Sequence, residues 1–203
     1  MKIKTFGQAA LGALLLSSSF AASAFEDGDW LIRFGGSNVD PKSNNGEIVD
    51  VGSDTSFTFT GSYMLTDAWS LELLAAWPFE HSIYLKDSGT KVGSTKHLPP
   101  TFSLNYHFFR NAVFRPYVGL GCYYTSFFDE STTGPLEGAN LSLDDSWGWA
   151  GQIGVDWLLN ERWFLNLNAR YIDIETDASV NGDFLEKVEI DPVVWGANVG
   201  FRF

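Results

Sequence analysis

Three arginines and two carboxylates are the first residues whose types suggest chemistry, because each is the polar member of an alternating apolar and polar segment. They are Arg33, Glu72, Asp156, Arg170 and Arg202, and His107 holds an equivalent position. Guanidinium and carboxylate groups form strong hydrogen bonds, and an unpaired charge away from water is very costly. Enclosed together, these groups would pair with one another. We therefore predict that they form a charged plug.

Adjacent His81 and Ser82 are the next candidates, since serine and histidine together can attack ester bonds. Their side chains must converge, whereas neighbouring residues on a strand point to opposite faces. His97 is the alternative partner, and Glu80 or Asp87 would have to orient one of the two rings. The spacing argues against catalysis, and we predict that the protein is not an enzyme.

Acidic residues are concentrated at Asp129 and Glu130, at Asp144 and Asp145, and over residues 183–191. Carboxylates can bind divalent cations shared with lipid phosphates, although no EF-hand spacing is present. Solvated surface loops are the plainer interpretation. The sequence has no metal-ligand cluster and no glycine-rich phosphate loop, so we predict neither a metal nor a cofactor.

Eight segments that alternate apolar and polar residues with a period of two must position these groups. Each is close to the ~9 to 11 residues that cross a bilayer as a tilted strand. The connections between them alternate long and short, beginning with a long one. The segments cover residues 30–37, 56–63, 69–77, 101–108, 117–127, 147–158, 163–172 and 193–203.

The predicted fold class is all-β, an eight-stranded antiparallel transmembrane β-barrel with four long outer loops and three short periplasmic turns. Export requires a signal, which we predict at residues 1–24, where Lys2 and Lys4 precede an apolar core and Ala22-Ser23-Ala24 forms the cleavage site. Residues 25–203 then form a single barrel domain in the bacterial outer membrane. The even strand number places both termini in the periplasm.

The outward faces sort by residue type, because Trp and Tyr favour bilayer interfaces and aliphatic residues favour the middle. A soluble barrel would carry charges on these faces instead. The periplasmic level is predicted to hold Trp30, Tyr63, Trp69, Tyr117, Trp157, Trp163 and Phe203, and the outer level Phe57, Trp77, Phe102, Trp147, Trp149, Tyr171 and Trp195.

The net charge argues against nucleic acid binding, and the cysteine content excludes an internal disulfide. The formal net charge of -12 becomes -14 when Lys2 and Lys4 are removed, and such an acidic protein would not be held by nucleic acid phosphates. Cys122 is the single cysteine and cannot form an internal disulfide. We interpret it as a small inward-facing apolar residue.

The upper half of the predicted interior is apolar, unlike the lower half. A channel for polar solutes would need a wet, charged constriction there. We hypothesise a narrow apolar funnel, open to the outside and blocked below, for passive uptake of small hydrophobic molecules. The simpler alternative is that the same residues pack a structural barrel. The predicted lining is Leu74, Ala76, Leu120, Cys122, Tyr124, Phe128, Ala150 and Ile172.

Three prolines suggest a way out through the barrel wall. Pro78 ends the third predicted strand, and Pro99 and Pro100 precede the fourth. Proline lacks the N–H that a ladder hydrogen bond needs. A gap between these strands would let a solute leave laterally into the membrane, whereas the alternative is that the prolines only shape the loop.

Several strings resemble the OmpW family of outer membrane proteins: LELLAAWPF (71–79), KHLPPTFSLNYHF (96–108), FRPYVGLG (114–121), DDSWGWAGQIGVD (144–156), RYIDI (170–174) and the terminal GFRF. The resemblance covers nearly all of residues 25–203. It implies an eight-stranded barrel with an apolar channel, related to alkane-import barrels such as AlkL, for uptake of small hydrophobic compounds.

The expected partners are small hydrophobic solutes, outer membrane lipids and lipopolysaccharide. Terminal Phe203 resembles the signal by which the outer membrane assembly machinery recognises its clients, so that machinery is an expected partner too. The competing interpretation is a structural or receptor protein, with the acidic outer loops serving envelope integrity, adhesion, or phage or colicin binding.

Overall fold

The computed structural model describes residues 25–203, and the export signal predicted at residues 1–24 lies outside them. No helix in the described part is long and apolar enough to span a membrane. The described strands are β1 (Trp30–Asp40), β2 (Val49–Val51), β3 (Asp54–Met64), β4 (Trp69–Ala76), β5 (Phe79–Leu85), β6 (Lys91–Leu98), β7 (Thr101–His107), β8 (Phe114–Thr132), β9 (Leu141–Leu143), β10 (Ser146–Leu158), β11 (Trp163–Ile172), β12 (Glu175–Val180), β13 (Asp183–Glu189) and β14 (Val193–Arg202).

Eight of these strands form a closed antiparallel barrel, in the order β1, β3, β4, β7, β8, β10, β11 and β14. The last strand pairs with the first, with Phe34 opposite Val199. Closure leaves no free edge strand in the barrel, so the backbone N–H and C=O groups can pair within the wall, as they must in lipid. The predicted eight-stranded barrel, with four long and three short connections, is confirmed.

Side chains alternate between the lumen and the lipid along each barrel strand. On β1, Leu31 and Arg33 are buried, whereas Trp30 and Phe34 are exposed. Large apolar side chains can stay outside because hydrocarbon, and not water, covers the barrel wall. The period-two pattern of the sequence therefore identifies the inward face of most strands.

Strand β8 corrects the prediction, because its two faces are exchanged. Leu120, Cys122, Tyr124 and Phe128 were predicted to line the channel, but their positions face outward, with Leu120 65% and Tyr124 51% exposed. Tyr117 was predicted in the outer wall, yet it is buried inside the barrel.

Crowding inside the barrel explains this reversal. The inward positions between Tyr117 and Tyr123 are Gly119 and Gly121. A Cβ at Gly119 would lie 2.0 Å from Asn105 Oδ1, and one at Gly121 would lie 1.9 Å from the Phe102 carbonyl oxygen. Glycines fit where side chains such as Leu120 cannot. Because β8 is apolar on both faces, alternation alone could not reveal this.

The long outer connections also differ from the prediction of polar loops, because much of their length is regular sheet. Strands β5 and β6 form a hairpin that pairs with the outer part of β8 and with β2. Strands β9, β12 and β13 form a separate three-stranded sheet. We call residues 41–53, 79–98, 128–145 and 173–192 the outer extension.

Candidate functional site

A buried charge network lies inside the barrel, formed by Arg33, Glu72, Asp156 and Arg170, each at most 4% exposed. Arg33 Nη2 and Nε donate to the two Asp156 carboxylate oxygens at 2.9 and 3.1 Å. Arg33 Nη1 donates to Glu72 Oε2 at 3.2 Å, and Arg170 Nη2 donates to Glu72 Oε1 at 2.8 Å. Two positive and two negative groups neutralise each other, which offsets the cost of burying them.

Three amide side chains that the sequence analysis did not single out complete this network. Gln152 donates to Glu72 Oε1 at 3.0 Å and to Asn105 Oδ1 at 2.6 Å. Asn166 donates to Asp156 Oδ1 at 2.8 Å. All three stand at inward positions of their strands, β7, β10 and β11, and this alternation was the available signal.

The other two predicted plug residues lie closer to the periplasmic strand ends. His107 is buried and its Nε2 lies 2.9 Å from Ser70 Oγ. Arg202 pairs with Asp29, with Nε 2.8 Å from Oδ2. These residues therefore continue the polar interior below the buried charge network.

An apolar stopper, Phe25 with Leu31, Met64, Leu158 and Phe164, fills the interior at the periplasmic strand ends. Phe25 is 1% exposed and packs against the Phe164 ring at 5.5 Å. The guanidinium carbon of Arg115 lies 4.3 Å from the Phe25 ring centre. Nothing in the sequence alternation indicates that Phe25 turns inward, so the sequence does not predict this stopper.

The outer half of the interior is a packed apolar cluster. Leu74, Ala150 and Ile172 face inward as predicted and are buried. Ala150 and Ile172 belong to the cluster, and Ala76 packs against it. The cluster continues into the outer extension through residues such as Phe79. The expected open funnel is therefore not what these side chains form; they pack against one another.

A small cavity with a volume of about 40 Å³ lies against this cluster. Strands of both outer sheets surround it. Its lining is Val49, Val51, His81, Ile83, Val92, Thr95, Phe127, Leu136, Leu141, Leu143, Thr176, Ala178, Val180, Leu185, Val188 and Ile190.

Two histidines stack beside this cavity, with the His81 and His97 ring centres 4.9 Å apart. Phe79 and Phe127 flank the His97 ring at 5.6 and 5.8 Å. Burial lowers the pKa of His97 to about 3, and the neighbouring His81 lowers it as well. Burial also lowers the pKa of His81. Both rings are therefore neutral at physiological pH.

The three prolines lie where the strand pairing is interrupted. Pairing of β4 with β7 ends at Leu74 and Thr101, and pairing of β5 with β6 starts at Phe79 and His97. Between these pairs, residues 75–78 and 98–100 form no paired rungs with each other in the described structure. Pro78, Pro99 and Pro100 all fall within this ladder interruption.

Terminal Phe203 is 72% exposed beside the Phe201 ring, and its backbone N–H donates to the Trp30 carbonyl at 3.0 Å.

Residues 25–203 contain no group of three or more His, Cys, Asp or Glu side chains that could hold a metal ion.

Comparison with known proteins identifies the family. The model described as the OmpW family matches residues 26–203. Outer membrane protein W of Vibrio cholerae is 42% identical over 222 residues, covering 100% of both chains. The crystal structure of OprG from Pseudomonas aeruginosa superimposes with a TM-score of 0.82 at 36% identity, covering 89% of this chain and 98% of that one. The dibenzothiophene metabolism operon protein PahQ of Pseudomonas aeruginosa is 27% identical, covering 88% and 90%.

Proposed function

Because the chain belongs to the OmpW family of outer membrane proteins, we propose that it is a channel for passive uptake of small hydrophobic molecules. The observation that carries this proposal is an apolar outer interior that ends on the neutral buried charge network. Transfer from water into such an environment is favourable for apolar solutes. It is unfavourable for sugars, which would lose their hydrogen bonds to water.

The proposed path enters through the outer extension. The cavity of about 40 Å³ is too small for most solutes, so entry requires its lining to move apart. Several lining residues can do so because they are partly exposed, among them Leu136, Leu141 and Leu185. Outer strands that are not part of the closed barrel can separate without breaking the transmembrane wall.

The buried charge network is proposed to act as the plug that blocks the periplasmic direction. Arg33 links β1 to Glu72 on β4 and Asp156 on β10, so the network joins distant parts of the barrel wall. The apolar stopper below it adds a second barrier. A solute entering from outside would therefore need another exit.

The ladder interruption beside Pro78, Pro99 and Pro100 is our proposed exit. A wall section without paired rungs opens at lower cost than a continuous ladder, because fewer hydrogen bonds must break. Trp77, next to Pro78, is 74% exposed toward the lipid side of this section. The solute would leave sideways into the membrane.

Uptake into lipid vesicles tests the channel. Vesicles that contain the protein should take up a slowly permeating hydrophobic dye several-fold faster than protein-free vesicles, with no acceleration for a sugar. A preference for the sugar would refute the proposal. Equal rates with and without protein, in vesicles with intact barrels, would favour the structural or receptor role, for which the acidic outer extension is the candidate surface.

A disulfide across the ladder interruption tests the exit separately. One cysteine is placed in residues 75–78 and the other in 98–100, in a Cys122→Ser background. The matched control crosslinks Leu71 to Leu104, which already face each other in the β4–β7 ladder. Oxidation should slow uptake only in the first variant, and unchanged uptake there would eliminate the lateral exit.

A further inference from the structure

One buried side-chain atom among the residues that line the cavity in the outer extension is unsatisfied. Its polar lining residues are His81, Thr95 and Thr176. Thr176 Oγ1 donates to the Asp144 carbonyl at 2.6 Å, and Thr95 Oγ1 donates to the Lys96 carbonyl at 3.4 Å. His81 Nε2 is buried and has no hydrogen-bond partner among the described residues.

The hydrogen bond on the other side of the His81 ring determines which ring nitrogen carries the proton. Nδ1 lies 2.5 Å from the carbonyl oxygen of Gly52. A carbonyl only accepts hydrogen bonds, so Nδ1 must carry the proton. In a neutral ring Nε2 is then an acceptor with a free lone pair. Leaving such an acceptor buried and unpaired is unfavourable, and this makes it a binding determinant for a donor.

We propose that His81 Nε2 is the recognition group of a binding site for small apolar molecules that carry one O–H or N–H donor. Aliphatic alcohols, phenols and indole-like heterocycles belong to this class, whereas alkanes, ketones and ethers do not. The proposal rests on the proposed function, and it adds a preference within the hydrophobic solutes.

The surroundings of His81 suit this role. His97 stacks on the His81 ring, and the Gly52 contact holds its orientation, so Nε2 is preorganised. Ile83, Val188 and the other aliphatic lining residues provide contact for the apolar part of the ligand. About 40 Å³ accommodates the donor group and the atom that bears it, and the partly exposed leucines of the lining must shift for the rest.

Water is a poor alternative occupant. The volume would admit a water molecule, but an ordered buried water needs two to four polar partners. The threonine hydroxyl protons and the His81 Nδ1 proton are already donated elsewhere, so the lining side chains can accept from a water but leave no donor for its lone pairs. A molecule with one donor and an otherwise apolar surface matches the cavity better.

Ligand binding to the full chain in lipid nanodiscs tests this inference. The probes are 1-hexanol, 2-hexanone and hexane, which have similar size and differ in donor capacity. We expect 1-hexanol to bind about tenfold more tightly than the other two, as one added hydrogen bond implies. It should also shift the ¹⁵N resonance of His81 Nε2, which the ketone and the alkane should not.

Two variants separate recognition from packing. His81→Asn keeps a donor for the Gly52 carbonyl but lacks Nε2, and it should abolish the preference for 1-hexanol. His97→Phe preserves the stack and should retain it. Equal affinities for the three probes in the native chain, or a preference that survives His81→Asn, would overturn the inference. Neither result touches the channel proposal, which depends on the comparison of hydrophobic dye with sugar.

Discussion

Arg33 and Asp156 form a two-point ion pair inside the barrel, although their strands, β1 and β10, are not neighbours in the sheet. Arg33 is 1% exposed and Asp156 is fully buried. The pair therefore spans the lumen and ties separate sections of the wall together. Because both charges are buried, the stability of the barrel is expected to depend on keeping them paired.

Removing one partner of this pair should destabilise the barrel strongly. Asp156→Asn leaves the Arg33 guanidinium without its two-point partner, and breaking a buried pair costs about 3–5 kcal/mol. The free energy of unfolding in urea, measured in lipid vesicles, should fall by that amount. Glu80→Gln, an exposed control, should change it by less than about 0.5 kcal/mol. A loss below about 1 kcal/mol for Asp156→Asn would contradict the role of the pair.

The lipid-facing position of Leu120 gives a second prediction. Arginine at the lipid face near the bilayer midplane costs about 2–4 kcal/mol, so Leu120→Arg should lower the free energy of unfolding by this amount. Phe184→Arg, on the exposed outer strand β13, is the control and should be nearly neutral. An equally small effect at both positions would mean that Leu120 does not face hydrocarbon.

The buried histidines predict a pH dependence for the outer extension. The pKa of His97 is about 3 in the folded state, below its ordinary value of 6.5. Below pH 6.5 the His97 ring is protonated in the unfolded segment but stays neutral in the folded one. The free energy of unfolding of this segment therefore decreases as the pH falls from 6.5 toward 3. It has its full value above pH 6.5.

Hydrogen exchange of the β5 and β6 amides measures this effect. Exchange protection, corrected for intrinsic rates, should be lower at pH 4.5 than at pH 7.5, while the β1 amides in the barrel wall serve as an internal reference. His97→Phe should weaken the dependence and leave the contribution of His81, whose pKa is also lowered. Equal protection at the two pH values would show that the stack does not resist protonation.

The exposed terminal ring of Phe203 yields the last prediction. If the assembly machinery reads this ring, deleting Phe203 should reduce the fraction of heat-modifiable barrel in the outer membrane. Phe203→Trp, which keeps an aromatic ring, should insert normally. A normal amount of heat-modifiable barrel after the deletion would remove the proposed recognition role.

Residue alternation alone predicts the barrel and the four residues of the buried charge network. Alternation with a period of two assigns Arg33 and Glu72 to the lumen and Trp30 and Leu71 to lipid, because the two solvents select opposite residue types. The same reasoning shows why Gln152 belongs to the network.

The orientation of β8 and the contacts of the outer extension become visible only in the folded chain. Leu120 and Tyr117 are both apolar enough for either face, and steric crowding at Gly119 settles which one turns inward. The contact between His81 and His97 arises because β5 pairs with β6, in a segment that the sequence predicts to be a polar loop. Such contacts depend on atoms that are distant in the chain, and local alternation carries no information about them.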